Sequence, residues 1–353
     1  MSEEITNNNN REYLGSVDIV RFLMALLIMS HHLYLLGYKD DWRGISCWIW
    51  VDYFFMLTGY FSIRHFAAVQ EKPVKCAGYE AVKYTVHKFK KLVPYIAIAV
   101  FVQYLMIAVS YMKQYNLRGI LDAFSNMPYE ILLLSSSGIV KPEVAPIWYL
   151  SAMFLALPLL IYMLLRFEDL WYILAWLVPV LYYGRMGVNT IRDWPNDLVR
   201  AFSCMALGTF VFILTSKVKE LKFSVLQRVL LTVVEIGLFG LCILITVANK
   251  PYMKWPYMNL LPLLFVVHAT IMLSGCSYSA KAKGVFCQFW GEISLPMFLF
   301  QWGIGTFTAA KITAVNGIRL CIYYLGTILA SVMVIVLKKM ISRQRREDGL
   351  FVK

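Results

Sequence analysis

Charge is what this 353-residue chain has least of: Asp, Glu, Lys and Arg make up 16% of it, against ~25% in ordinary soluble domains. Because 59% of the residues are hydrophobic, the shortage excludes both a soluble globular protein and a disordered one. The seven cysteines, Cys47, Cys76, Cys204, Cys242, Cys276, Cys287 and Cys321, show no C-x-x-C pair and no Cys/His spacing. That argues against a metal site and leaves core packing as their role. There is no internal repeat of fixed period, and the Asn run in "MSEEITNNNNR" is too short for more than a flexible tail. This opening also lacks the charged start and small-residue cleavage site of a signal peptide, so the first helix is expected to stay as an anchor. No long polar segment remains for a separate soluble domain. The longest polar insert, about 113–143, is still rich in Leu, Ile and Met and reads as interfacial.

What the chain does have is apolar runs long enough to cross ~30 Å of hydrocarbon. Ten are read: 16–38, 44–66, 92–112, 144–165, 169–184, 197–216, 226–248, 256–276, 289–309 and 313–337. The expected fold is an all-α membrane protein with about ten transmembrane helices in a single bundle and both termini cytoplasmic. A flexible tail, 1–15, precedes the membrane domain, 16–337, and a basic tail, 338–353, follows it. The net charge of +13 suggests nucleic acid until its distribution is examined. Segments read as inner hold roughly twice the Lys and Arg of the outer ones, a positive-inside pattern. The densest inner block, "RHFAAVQEKPVKCAGYEAVKYTVHKFKK", suits anionic lipid or a ligand, and no nucleic-acid partner is expected.

Within the first run, "SVDIVRFLMALLIMSHHLYLLGY", Asp18, Arg21, His31 and His32 interrupt the apolar pattern. Arg21 and His32 stand at i and i+11, which an α-helix places on one face within ~20° and ~16 Å apart along the axis. His31 lies ~80° off that face and is expected to matter less. A cation near the inner surface and a titratable base farther out form a ladder across the membrane. Taken singly, Arg21 could snorkel or pair with Asp18, and His32 could bond a carbonyl. Sharing a face, they mark a pathway or a site.

Asp52, in "CWIWVDYFFMLTGYFS", lies ~12 Å below the outer edge of the second run, close to the ~10 Å depth of His32. Adjacent antiparallel helices could set this carboxylate beside the imidazole, fixing its tautomer and raising its basicity, or Asp52 could bond a Tyr or Trp instead. Arg200 and Glu235 lie in the sixth and seventh runs, and either could form a buried ion pair that only fixes packing. Trp148 and Tyr149 could stack on a sugar, although an interfacial aromatic belt explains them equally well.

Together "DIVRFLMALLIMSHH", "VDYFFMLTGYFS", "KFKKLVPYI", "PIWYLSAMF" and "GEISLPMFLFQW", in this order from about 15 to 337, resemble the acyltransferase-3 family of bacterial integral membrane acyltransferases. The resemblance implies transfer of an acyl group, usually acetyl from acetyl-CoA on the cytoplasmic side, to a hydroxyl of a cell-envelope glycan. It casts His32 as the catalytic histidine and Arg21 as its partner, while Asp52 is expected beside His32 from depth alone. The family's paired arginines fall on Lys88 and Lys91, ahead of Pro94. Lysine keeps the charge but loses the flat fork that suits phosphate. Gln301 stands where relatives often carry a histidine. No esterase-like domain follows the bundle, so catalysis is expected of the bundle itself.

The expected cofactor is therefore acetyl-CoA as co-substrate, with no metal, and the expected partners are acyl-CoA, a glycan or sugar acceptor and the lipid bilayer. Arg21, Lys88 and Lys91 would hold the donor phosphates, while His32 would act as general base or as transient acyl carrier. The location implied is the bacterial cell membrane, multi-pass. A transporter or flippase for a glycan or lipid-linked sugar would also suit ten spans with buried charges. A catalytically dead scaffold of the same fold is the third reading.

Overall fold

The computed structural model describes residues 13–38, 44–67, 76–111, 118, 121, 124–138, 143–186, 195–248, 256–313 and 315–347. Ten principal helices run through them: α1 Gly15–His31, α2 Trp50–Ala67, α3 Ala77–Tyr111, α4 Ile147–Arg166, α5 Glu168–Met186, α6 Asn196–Lys219, α7 Val225–Ala248, α8 Leu261–Ser274, α9 Val285–Lys311 and α10 Asn316–Glu347. Among the described residues there is no strand. Each of the ten apolar runs meets one of these helices.

Six of them, α1 with its 3-10 extension, α3, α4, α6, α7 and α10, are long and apolar enough to cross a membrane by length and composition. The difference from the ten expected crossings has identifiable causes. The 14 residues of α8 rise only ~21 Å. Asp52, Arg64 and His65 dilute α2, Glu168 and Asp169 open α5, and Glu292 interrupts α9. The protein is a multi-pass membrane protein, and its outer surface fits that setting. Leu226, Val233, Ile236 and Leu244 of α7, with Leu325, Leu329 and Met333 of α10, are large apolar side chains facing outward. Only lipid or another apolar surface would keep such faces from water.

The 35 residues of α3 rise ~52 Å, well beyond the ~30 Å of hydrocarbon. Its first half, with Lys83, Lys88, Lys90 and Lys91, therefore projects past the apolar layer at one end. Inside the bundle α9 packs against α1, α3 and α10, and α2 packs along α6. The last two helices touch backbone to backbone: a Cβ on Gly59 would run into the carbonyl of Met205, and one on Gly208 into that of Met56. Small residues of this kind let membrane helices approach closely.

Two features shape the end of α1. The helix gives way to a 3-10 turn, His32–Leu36, which Gly37 closes at φ 85°, a left-handed conformation that glycine adopts without strain. A second 3-10 turn, Ile45–Ile49, leads into α2.

Candidate functional site

The α-helix ends at His31 and a 3-10 turn begins at His32, and the two neighbouring rings converge although their backbone positions are rotated apart. Both imidazoles are buried, their centroids 4.9 Å apart, and both line one cavity. This corrects the expectation that His31 points away.

Each ring is held by Nδ1. His31 Nδ1–H donates to the Ile45 carbonyl, which ties the end of α1 to the turn before α2. His32 Nδ1 lies 3.2 Å from Gln301 Oε1. Gln301 Nε2 is committed as donor to the Phe298 carbonyl at 3.0 Å, while the Tyr323 hydroxyl donates to the Met29 carbonyl at 3.1 Å and lies 3.3 Å from Gln301 Oε1. That oxygen is thus an acceptor, and His32 must donate to it. When either ring is neutral, its lone pair then sits on Nε2, the tautomer a general base uses. Trp302 meets His32 edge-on at 5.5 Å.

Asp52 does not serve as the carboxylate of His32. Its Oδ1 receives Arg200 Nε at 2.7 Å and lies 2.6 Å from Nη2, while its Oδ2 receives the Tyr183 hydroxyl at 3.1 Å. The depths matched, but α2 turns Asp52 toward α6, where a buried guanidinium requires an anion. Arg200 thus forms the buried ion pair expected of one of the two residues, and Glu235 accepts from Ser279 at 2.9 Å.

Arg200 is only 2% exposed and lies against two indoles, 4.8 Å from the Trp48 ring and 5.3 Å from the Trp148 ring. It lines the same cavity as His31, His32, Trp48, Trp148 and Phe298. Tyr149 is not among the described residues that line it. Its ring packs on Phe55 at 4.6 Å and on Phe298 at 5.4 Å.

The other end of the ladder is cationic. Arg21, half-exposed, reaches Asp18 at 3.4 Å, and Lys88 is close enough for its charge to interact with that of Arg21. Lys88 also lies 5.9 Å from the Tyr84 ring, and Lys91 is exposed one helical turn farther on. The field of Arg21 also reaches the buried Tyr149, which links this cluster to the packing beneath the cavity.

Sequence reasoning missed Trp48 and Arg200 as parts of the histidine cavity, and it missed Gln301 as the holder of His32. For Arg200 a signal existed: an arginine inside an apolar run requires an anion, and Asp52 is one of the few carboxylates that the apolar runs carry. Among the described residues, no cluster of His, Cys, Asp and Glu is arranged to hold a metal ion.

A family model described as an acyltransferase domain matches residues 14–336. No curated protein matches the chain, and no solved structure does.

Proposed function

The chain belongs to the acyltransferase family whose model spans residues 14–336, and from that premise we propose that it moves an acyl group, acetyl in the simplest case, from acyl-CoA to a hydroxyl of an extracytoplasmic or lipid-linked glycan in the bacterial cell membrane. The observation that carries this reading is a pair of buried imidazoles with Nε2 lone pairs on a shared cavity, about 16 Å by helix rise from a cluster of cations.

The two ends suit the two parts of the donor. Arg21, Lys88 and Lys91 would bind the phosphates of coenzyme A by charge-assisted hydrogen bonds. The flexible pantetheine arm would then carry the thioester inward to the histidines. His32 Nε2 takes the proton of the acceptor hydroxyl as its oxygen attacks the thioester carbonyl, and the Gln301 contact holds the ring in the required tautomer. Trp148, with its indole on the cavity, offers a stacking face for a sugar. Asp52 acts at one remove, by holding Arg200.

Purified protein in lipid nanodiscs, incubated with acetyl-labelled acetyl-CoA, tests the reading. Release of labelled acetate or its transfer to an added glycan supports it. Intact donor under all conditions, with movement of a lipid-linked sugar across vesicles, would instead identify a transporter.

A further inference from the structure

A guanidinium buried in a membrane bundle is costly, and one carboxylate usually accounts for it. Here the account is incomplete. Arg200 Nε and Nη2 converge on a single oxygen of Asp52, but only Nε has the direction of a hydrogen bond. Nη2 is fully buried and makes no hydrogen bond of its own among the described residues. The group is nevertheless fixed: Asp52 holds one edge, Tyr183 holds Asp52, and the Trp48 and Trp148 rings lie against the guanidinium. A rigid cation with an unspent N–H, on the wall of the cavity that holds the two imidazoles, is pre-organised to stabilise negative charge developing there.

We propose that Arg200 is the oxyanion-stabilising residue of the acyl-transfer step, with Asp52 as its positioning residue. The inference rests on the acyltransferase reading. In the step, the acceptor O–H gives its proton to His32 Nε2 while its oxygen forms a bond to the thioester carbonyl carbon, and the carbonyl π pair moves onto oxygen. Arg200 Nη2–H donates to that oxyanion. Collapse restores the carbonyl and breaks the C–S bond, and the leaving thiolate takes the proton back from the imidazolium, yielding ester and free coenzyme A. Arg21 and Lys88, at the far end of the ladder, are too distant to share this task. Arg200 has no role in holding the donor's phosphates, so its loss should spare donor binding.

The test compares wild type with R200Q, R200K and the double variant D52N/R200Q in nanodiscs. The double variant removes both buried charges together and so avoids stranding Asp52. Two readouts are taken: turnover of acetyl-CoA, and the affinity for a trifluoromethyl-ketone analogue of acetyl-CoA, whose hydrate mimics the tetrahedral oxyanion, relative to coenzyme A itself. R200Q and D52N/R200Q are expected to lower kcat by about 10²-fold or more while coenzyme A affinity holds. The preference of wild type for the analogue should fall by a similar factor, a change that a merely structural role would not produce. R200K keeps the charge without the fork and should be intermediate. If R200Q fails to fold, the double variant carries the comparison, and R200K carries it if that fails too. Turnover and analogue preference within about threefold of wild type in a folded variant overturn the proposal. A wild-type protein with no thioester turnover overturns the acyltransferase reading itself.

Discussion

At the scale of single residues, His31 and His32 are both held at Nδ1, but by partners of different kinds. His32 leans on a side chain, Gln301, whereas His31 is bonded to backbone in the turn that leads into α2. Truncation should separate the two. His32→Ala is expected to lower kcat by about 10²-fold or more with donor affinity retained. His31→Ala should chiefly cost stability, about 1 kcal/mol for the lost hydrogen bond, with a smaller fall in turnover. Steady-state kinetics beside thermal unfolding in nanodiscs checks both, and a His31→Ala protein that folds normally yet is inert would reverse the roles. Arg21→Ala belongs to the other end of the ladder. It should raise the KM for acyl-CoA by about tenfold and leave kcat nearly unchanged, because a charge-assisted contact to phosphate is made equally in ground and transition states.

Among the elements, the α2 and α6 pair decides whether the site exists. The two helices meet at the Asp52–Arg200 ion pair and again at Gly59 and Gly208, about two turns farther along each. Gly208→Val should force the helices apart and destabilise the protein by about 2 kcal/mol or more through overpacking. Turnover should fall with it as Arg200 leaves its place, and a variant with wild-type unfolding temperature would show that the close approach is dispensable. A second element works by hydrogen bonding. The short helix Met127–Ile131 carries the fully buried Glu130, whose carboxylate accepts from the Tyr104 hydroxyl at 2.9 Å and from the backbone N–H groups of Glu143 and Val144. Burial pushes its carboxyl up from the ordinary range, against these three donors. Glu130→Ala would leave all three without their acceptor and should cost about 2 kcal/mol or more, read as faster proteolysis within 124–144.

For the whole molecule, orientation is the property that everything else presupposes. With the basic block on the inner side, an engineered Lys90→Cys should resist a membrane-impermeant maleimide in intact cells, and Tyr129→Cys should react. The background needs the two exposed native cysteines, Cys76 and Cys321, replaced by serine. Labelling of Lys90→Cys from outside would invert the topology and place the cationic cluster on the acceptor side. That would remove the reason for assigning it to a cytoplasmic donor.

By itself, the sequence determined the class of the molecule: apolar runs of membrane-spanning length leave the backbone no alternative to helix in hydrocarbon. It also suggested the ladder of Arg21 and His32, because i and i+11 share a face in a regular α-helix, whereas in the structure the α-helix ends at His31, one residue before the ladder does. Partner choice lay beyond it. Depth along the membrane normal predicted Asp52 beside His32, but depth says nothing about rotation, and the rotation of α2 against α6 is decided by the Gly59 and Gly208 contact. His31 was set aside by its angle on the helix, but a backbone angle does not fix where a long side chain ends, and the rings of both histidines reach one cavity. Only the packed bundle brings Trp48, Trp148 and Arg200, from three distant stretches of chain, onto the cavity of the two histidines, because long-range contacts carry no periodicity to read in advance.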